Sequence, residues 1–203
     1  MSSSGEQEEL RKRAMALGKL VRHCGLTYIP LWADLTFAIK EWQRDQTSQF
    51  WCRTSIRCFC AVVEAALFGY RKMADQMAAL SKVQFDPKEV EILAGKQIKN
   101  GVERPKWLSP ADSVKESFRL FGKAVGCPIA LNYGDDGFRA LCKTFEIRNR
   151  LMHPKEPFDV EVRVGDMKTA DHAIKWFNNS HASVIEQCQA HVDKSVEKMK
   201  KQH

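Results

Sequence analysis

Arg148-Asn149-Arg150-Leu151-Met152-His153-Pro154 is the stretch on which the reading of this chain turns. It closes a segment that begins near Asp136 and carries Phe138, Leu141, Cys142, Phe145 and Leu151 at helical spacing. The spacing predicts a helix over 136–153. Pro154 has no amide hydrogen to extend the ladder, so it stops that helix directly after His153. An arginine, an amide and a histidine therefore lie within two helical turns.

Upstream of this helix, Asp135-Asp136 suit a helix N-terminus through its dipole. No further ligand types are spaced around them, so a metal-binding pair is not indicated. Gly126, Pro128 and Gly134 break the chain before them. Ser109-Pro110 pairs a capping serine with proline at the first helical position, which predicts a helix over 110–125 with Val114, Phe118, Phe121 and Val125 inward. Residues 81–109 are more polar and read as an insertion. Asp86-Pro87 opens a short helix through Ala94, and Gly95, Asn100, Gly101 and Pro105 mark loops. Lys96, Lys99, Arg104 and Lys106 in this region are candidate RNA contacts or a solvated face. Trp107 beside them is a base stacker or a packing residue.

Earlier still, Thr47 or Ser48 can cap a long helix reaching Leu80. Its wide apolar face, from Trp51 through Phe59, Val63 and Tyr70, makes it the most buried helix. Glu64 lies in the most apolar part of it, and a buried carboxylate there needs a cation. Either it shares a thin polar side with Arg57 and Arg71 at seven-residue spacing, or it pairs with an arginine of the 148–154 stretch. Residues 6–23 read as a first helix, with Leu10, Ala14, Leu17 and Val21 apolar and Gly25 as its stop. Arg11, Lys12, Arg13, Lys19 and Arg22 between them meet phosphates or simply solvent. Ile29-Pro30 opens a second helix through Leu35, Ala38 and Trp42.

Downstream, 155–168 is a connection in which Val160, Val162 and Val164 alternate with charges. That pattern allows a short strand, although nothing in the chain offers it a partner. Thr169 caps a last helix through Ile174, Phe177, Val184, Ile185, Cys188, Val192, Val196 and Met199. Lys194, Lys198, Lys200 and Lys201 complement its C-terminal dipole. The expectation is an all-α bundle of about five or six helices in one domain over 1–203. Residues 1–45 form an N-terminal helical extension, 81–109 a central loop/helix insertion, and 110–203 the motif-bearing and C-terminal helices.

Composition narrows the function classes. Apolar residues are 44% and charged residues 28% of the chain, ordinary for a soluble protein. No apolar run reaches membrane-span length, and the opening Met1 to Glu6 has no signal-peptide core. The seven cysteines show no framework spacing, and Cys52, Cys58 and Cys60 share one predicted helix. They read as reduced thiols in a cytoplasmic protein, and Cys58-Phe59-Cys60 is not a metal spacing. A net charge of +7 and a pI near 9.1 favour an acidic partner such as nucleic acid, or serve solubility.

The chemistry of the key stretch is restricted in the same way. No serine or cysteine nucleophile is tied to His153, no glycine-rich phosphate loop is present, and no carboxylate–histidine cluster suggests a metal hydrolase. Arginine and histidine do suit phosphodiester cleavage in RNA. Histidine as a residue type moves protons near neutrality, and arginine stabilises charge on a phosphate. The ribose 2′-hydroxyl then serves as nucleophile, so neither metal nor cofactor is required. Helix geometry adds a constraint, because at 100° per residue Arg148 and His153 lie about 140° apart. Asn149 and His153, four residues apart, share a face. Either the helix distorts before Pro154, or a second copy supplies the missing group across a two-fold axis.

Arg148-Asn149-Arg150-Leu151-Met152-His153 resembles the Arg-polar-x-x-x-His signature of the HEPN superfamily. These are small all-helical proteins that include metal-independent RNases of toxin–antitoxin and phage-defence systems. The context is similar too: the motif ends a helix, a proline comes next, a glutamate-bearing apolar helix precedes it and a long helix lies beyond. The match is specific over 136–154 and general over 48–80 and 169–199. Residues 1–45 and 81–109 fall outside it. The resemblance implies a homodimer whose two copies of Arg148 and His153 line one cleft, with Asn149 ordering the site and a protein antitoxin as a partner. Glu64 and Arg150 take supporting roles, with Arg150 also an RNA contact. Two competing readings are a non-catalytic HEPN module that dimerises and binds RNA, a nucleotide or a protein, and a purely structural helical domain.

Overall fold

Long apolar periodicities separated by glycine and proline dictate helices, and helices are what forms. A computed structural model describes residues 4–81 and 83–201. In chain order the elements are α1 (Ser4–Arg44), α2 (Gln49–Ser81), α3 (Pro87–Ala94), β1 (Lys96–Lys99), β2 (Val102–Pro105), α4 (Pro110–Val125), α5 (Asp136–Met152), a 3-10 turn (Pro157–Val160) and α6 (Val164–Lys201). The described residues thus hold six α-helices and one two-stranded sheet, an all-α fold with the expected number of helices. The chain groups into two compact units. One comprises Met1–Thr27 and Ala66–Ile129, the other Tyr28–Ala65 and Ala130–His203.

Three local expectations are corrected. The first concerns α1, which runs unbroken from Ser4 to Arg44 with Pro30 inside it, where the spacing predicts two helices. Proline at position 30 removes one ladder bond, to the Leu26 carbonyl. Leu35 and Ala38, buried just beyond it, anchor the helix on that side. The change of compact unit falls at Thr27–Tyr28, within the continuous helix. Leu10, Ala14, Leu17 and Val21, like Leu80, Val192, Val196 and Met199, have side chains outside the described residues.

The second correction lies at 155–168. No strand forms at Val160–Val164. Pro157–Val160 is a 3-10 turn, and α6 begins at Val164 rather than at Thr169. Asp166 Oδ2 accepts the Arg163 N–H at 3.0 Å at the helix start, while Thr169 sits within the helix and donates back to the Gly165 carbonyl. An alternating strand needs a neighbour for its backbone groups, and side chains take them instead: Gln49 bonds both groups of Val162, and Asp166 accepts the Arg163 N–H.

The third correction is in the opposite direction. Residues expected as loop, 96–105, form an antiparallel hairpin with Lys96 opposite Pro105 and Lys99 opposite Val102. The Asn100-Gly101 dipeptide carries it, because both residues take positive φ (56° and 74°), as the tight turn matching strand twist demands.

The first unit packs α3 against α4 and the second half of α2. Ala74, Leu93, Leu120 and Ala124 form its buried cluster, with Met77, Phe85, Ile92 and Phe121 against them. Leu93 thus makes α3 part of this core. Asp86 caps α3 in a capping box with Glu89, and Ser109 caps α4. Glu89 is buried and accepts from Arg119 Nη1 at 2.7 Å, Lys123 Nζ at 2.6 Å and its own cap's Asp86 N–H at 2.9 Å. Burial alone would raise its pKa. The hydrogen bonds from Lys123, Arg119 and Asp86 outweigh that and hold it at about 2.

The second unit packs α5 between the first half of α2 and α6. Cys52, Ile56, Ile147, Leu151, Val162, Met167 and Ala170 form one buried cluster. Phe59 and Phe177 meet edge to face elsewhere in the same unit. Ser48 Oγ accepts the Trp51 N–H at the start of α2, and Asp135 accepts the Gly137 N–H at the start of α5. At Gly137 an added Cβ would lie 2.5 Å from the Cβ of Trp176, so only glycine lets α5 approach α6 this closely.

Candidate functional site

Arg148 stands three residues after Phe145 and seven after Leu141, so it inherits the inward stripe of α5. The stripe leads its guanidinium across to α2, where Nη2 donates to Glu64 Oε1. The guanidinium carbon stands 5.4 Å from the centre of the Phe145 ring. Side-chain exposure is 26% for Arg148 and 54% for Glu64, so the pair sits at the surface with the arginine as its inner member. Arg148 Nε is buried beside the Cys60 thiol and meets no oxygen acceptor among the described residues. Cys60, one turn before Glu64, lies beneath the pair. Burial pushes its thiol up to about 12, against the opposing pull of the Arg148 guanidinium, so it stays protonated and inert. Of the two fates open to Glu64 in the sequence, pairing with an arginine of the 148–154 stretch is the one that occurs.

Arg57 and Arg71, the other members of that seven-residue row, find separate partners. Arg57 Nη2 donates to the Leu151 carbonyl at 3.2 Å, near the end of α5. Arg71, in the first unit, donates to Ser117 Oγ at 2.8 Å and Ser113 Oγ at 3.1 Å. Arg57 thus holds the end of α5, a role that sequence reasoning misses. Its signal is a cation seven residues before Glu64 on the same helix.

His153 is the residue at which α5 ends. Its N–H still closes a turn on the Asn149 carbonyl at 3.0 Å, while its φ of −132° and ψ of 59° leave the helix. Helical form therefore persists through Met152, and the divergence of about 140° between Arg148 and His153 stands. Arg148 turns to α2, whereas His153 and Asn149 are exposed. No hydrogen bond or ion pair joins Arg148 to His153 among the described residues.

Arg150 has a structural task. Its Nη1 reaches the carbonyls of Asp159 at 3.0 Å and Glu161 at 2.8 Å, and its Nη2 donates to Asp166 Oδ2 at 2.9 Å. Asp159 in turn accepts the N–H groups of Lys155 and Glu156, and these bonds hold its carboxyl below the usual range. The chain that leaves the helix after His153 is thus pinned from both ends. An arginine committed to three carbonyls, that of Phe158 included, and a carboxylate supports the candidate site and is not available as an RNA contact.

Lys96, Lys99 and Arg104 lie in the hairpin of the first unit. Lys96 is paired with Glu103 at 2.8 Å. Lys99 and Arg104 are exposed and share the other hairpin face by register. Trp107 is 84% exposed and packs against nothing that would bury it. Lys106 bonds Glu91 at 3.0 Å.

Among the described residues no group of three or more histidine, cysteine or acidic side chains is placed to hold a metal ion. No helix of the described residues is long and apolar enough to cross a membrane. Comparison with known proteins finds no match to this chain among protein-family models, curated proteins or solved structures.

Proposed function

We propose that this chain is a metal-independent endoribonuclease of the HEPN type. It acts as a homodimer with a composite site and is restrained by a protein antitoxin in a toxin–antitoxin or phage-defence setting. The observation that carries the reading is Arg148. It is half-buried and oriented by Glu64 and Phe145, one and a half turns before an exposed histidine. A cation so held is preorganised for a phosphate, because its position is fixed before the ligand arrives.

The ribose 2′-hydroxyl attacks the adjacent phosphorus, and the bond from phosphorus to the 5′-oxygen breaks. His153 of one copy takes the 2′-hydroxyl proton or delivers one to the departing 5′-oxygen. Arg148 neutralises charge on the phosphate oxygens. Products are a 2′,3′-cyclic phosphate and a 5′-hydroxyl. Since Arg148 and His153 diverge on one helix, a second copy supplies the complementary member of each pair. Asn149, exposed on the histidine's face, orders the RNA or the imidazole.

A second reading rests on the Glu64 contact. A carboxylate already on the guanidinium neutralises it, as in a non-catalytic HEPN module that binds RNA, a nucleotide or a protein. One experiment separates the two. Purified protein incubated with RNA in EDTA is expected to release fragments with cyclic phosphate ends, and His153→Ala to abolish them. Cleavage by His153→Ala at the wild-type rate refutes the assigned roles. RNA binding without any cleavage selects the second reading.

A further inference from the structure

A cavity of about 650 Å³ opens in the second unit between the end of α1 and the first turns of α2 and α6. Its size is that of a small-molecule site. Neither Arg148, His153 nor Glu64 lines it, so its chemistry is independent of RNA cleavage.

The floor is apolar. Cys52, Val162 and Met167 belong to the buried cluster of this unit, and Trp42 packs against them. The buried indole N–H of Trp42 faces the Cys52 thiol. One wall is pinned, because the Gln49 amide donates to the Val162 carbonyl at 2.9 Å and accepts its N–H at 2.8 Å. The mouth carries charges of both signs. Arg163 and Lys168 line it, and among the described residues neither meets a carboxylate. Asp171, also at the mouth, is taken by Lys175 at 2.6 Å. That leaves Glu161 as the opposing carboxylate. Both α2 and α6 begin here, and each helix start adds roughly half a positive charge.

We propose that this cavity binds a small molecule with a flat apolar body and one anionic group. The body lies on the floor of Trp42, Val162 and Met167, and the anion meets Arg163 and Lys168. An uncharged apolar ligand leaves the two cations unused, and a purely ionic one leaves the floor wet, so the cavity selects a molecule carrying both.

The test uses two fluorescent probes on the full chain, anilinonaphthalene sulfonate and its uncharged counterpart phenyl-naphthylamine. The sulfonate is expected to saturate at one per chain and to bind about tenfold tighter than the neutral probe, the worth of one charge-assisted contact. The double variant Arg163→Ala/Lys168→Ala, at two exposed positions, should erase that advantage while leaving the neutral probe's affinity unchanged. Gln46→Trp, at the exposed mouth, should weaken both probes by about tenfold or more. Thermal melts of both variants are expected to overlay the wild type. Equal affinity of the two probes for wild type overturns the proposal. So does a sulfonate affinity left at the wild-type value by either variant, or the absence of saturable binding.

Discussion

Glu64 with Arg148 and Glu89 with Arg119 and Lys123 are the same chemistry in two settings. Glu89 is 5% exposed, and two cations and a backbone N–H satisfy it. Glu64 is half-exposed and, among the described residues, pairs with Arg148 alone. A buried carboxylate survives only when every lone pair is engaged, so the Glu89 cluster is committed to holding α3 on α4. A surface pair contributes little to stability and leaves the arginine able to change partners. The contrast therefore separates a structural ion cluster from a candidate site.

The contrast is breakable by substitution, and the largest expected effects are on the site's chemistry. His153→Ala should lower RNA cleavage by about 10²–10⁴-fold, the range for a lost general acid or base, with an unchanged melting temperature because the side chain is exposed. Arg148→Ala should lower it by about 10²–10³-fold, and mixing the two inactive variants should restore part of the activity if the site is shared. Equal melting temperatures with undiminished cleavage would remove both residues from the mechanism.

Next in size is Glu89→Gln. It leaves two cations facing a neutral amide and should cost about 2 kcal/mol, or roughly 4–8 °C in the melting temperature of a chain this long. The same carboxylate sets an acid dependence. Its folded pKa of about 2 lies below the ordinary glutamate value of about 4.3. Its contribution is therefore complete above the unfolded value and is lost as pH falls through about 2. The melting gap between wild type and Glu89→Gln should narrow steadily below pH ~4.3, and a constant gap would contradict the assignment. Smallest is Glu64→Gln, expected to change stability by about 0.5 kcal/mol, within the range of exposed pairs. A loss as large as that of Glu89→Gln would erase the distinction between the two regions.

Much of the fold is legible locally. Ser109-Pro110, Asp86-Pro87 and Asp135 announce helix starts through backbone groups that the residue itself satisfies, and all three stand at the predicted places. Asn100-Gly101 announces a hairpin turn just as locally, but its polar surroundings argue for loop. Local signals mislead where a distant partner decides. Pro30 looks like a boundary until the residues beyond it pack. Val160, Val162 and Val164 look like a strand until Arg53, Arg150 and Gln49 collect the backbone groups of Val160, Glu161 and Val162. Within the site, Glu64 is legible as a carboxylate in need of a cation. The commitment of Arg150 is not, because its acceptors are main-chain carbonyls that carry no sequence signature.

The sequence by itself determined the helical class, most helix starts, and the end of α5 at His153, since periodicity, caps and proline act within a turn of chain. It also determined that Arg148 and His153 diverge, because the angle per residue is fixed. Only the tertiary structure decided which arginine meets Glu64, which one ties down the chain beyond His153, and that an open cavity lined by Arg163 and Lys168 lies where α2 and α6 begin. Those outcomes depend on side chains brought together from positions up to 113 residues apart, and no local rule specifies which of several equivalent cations arrives.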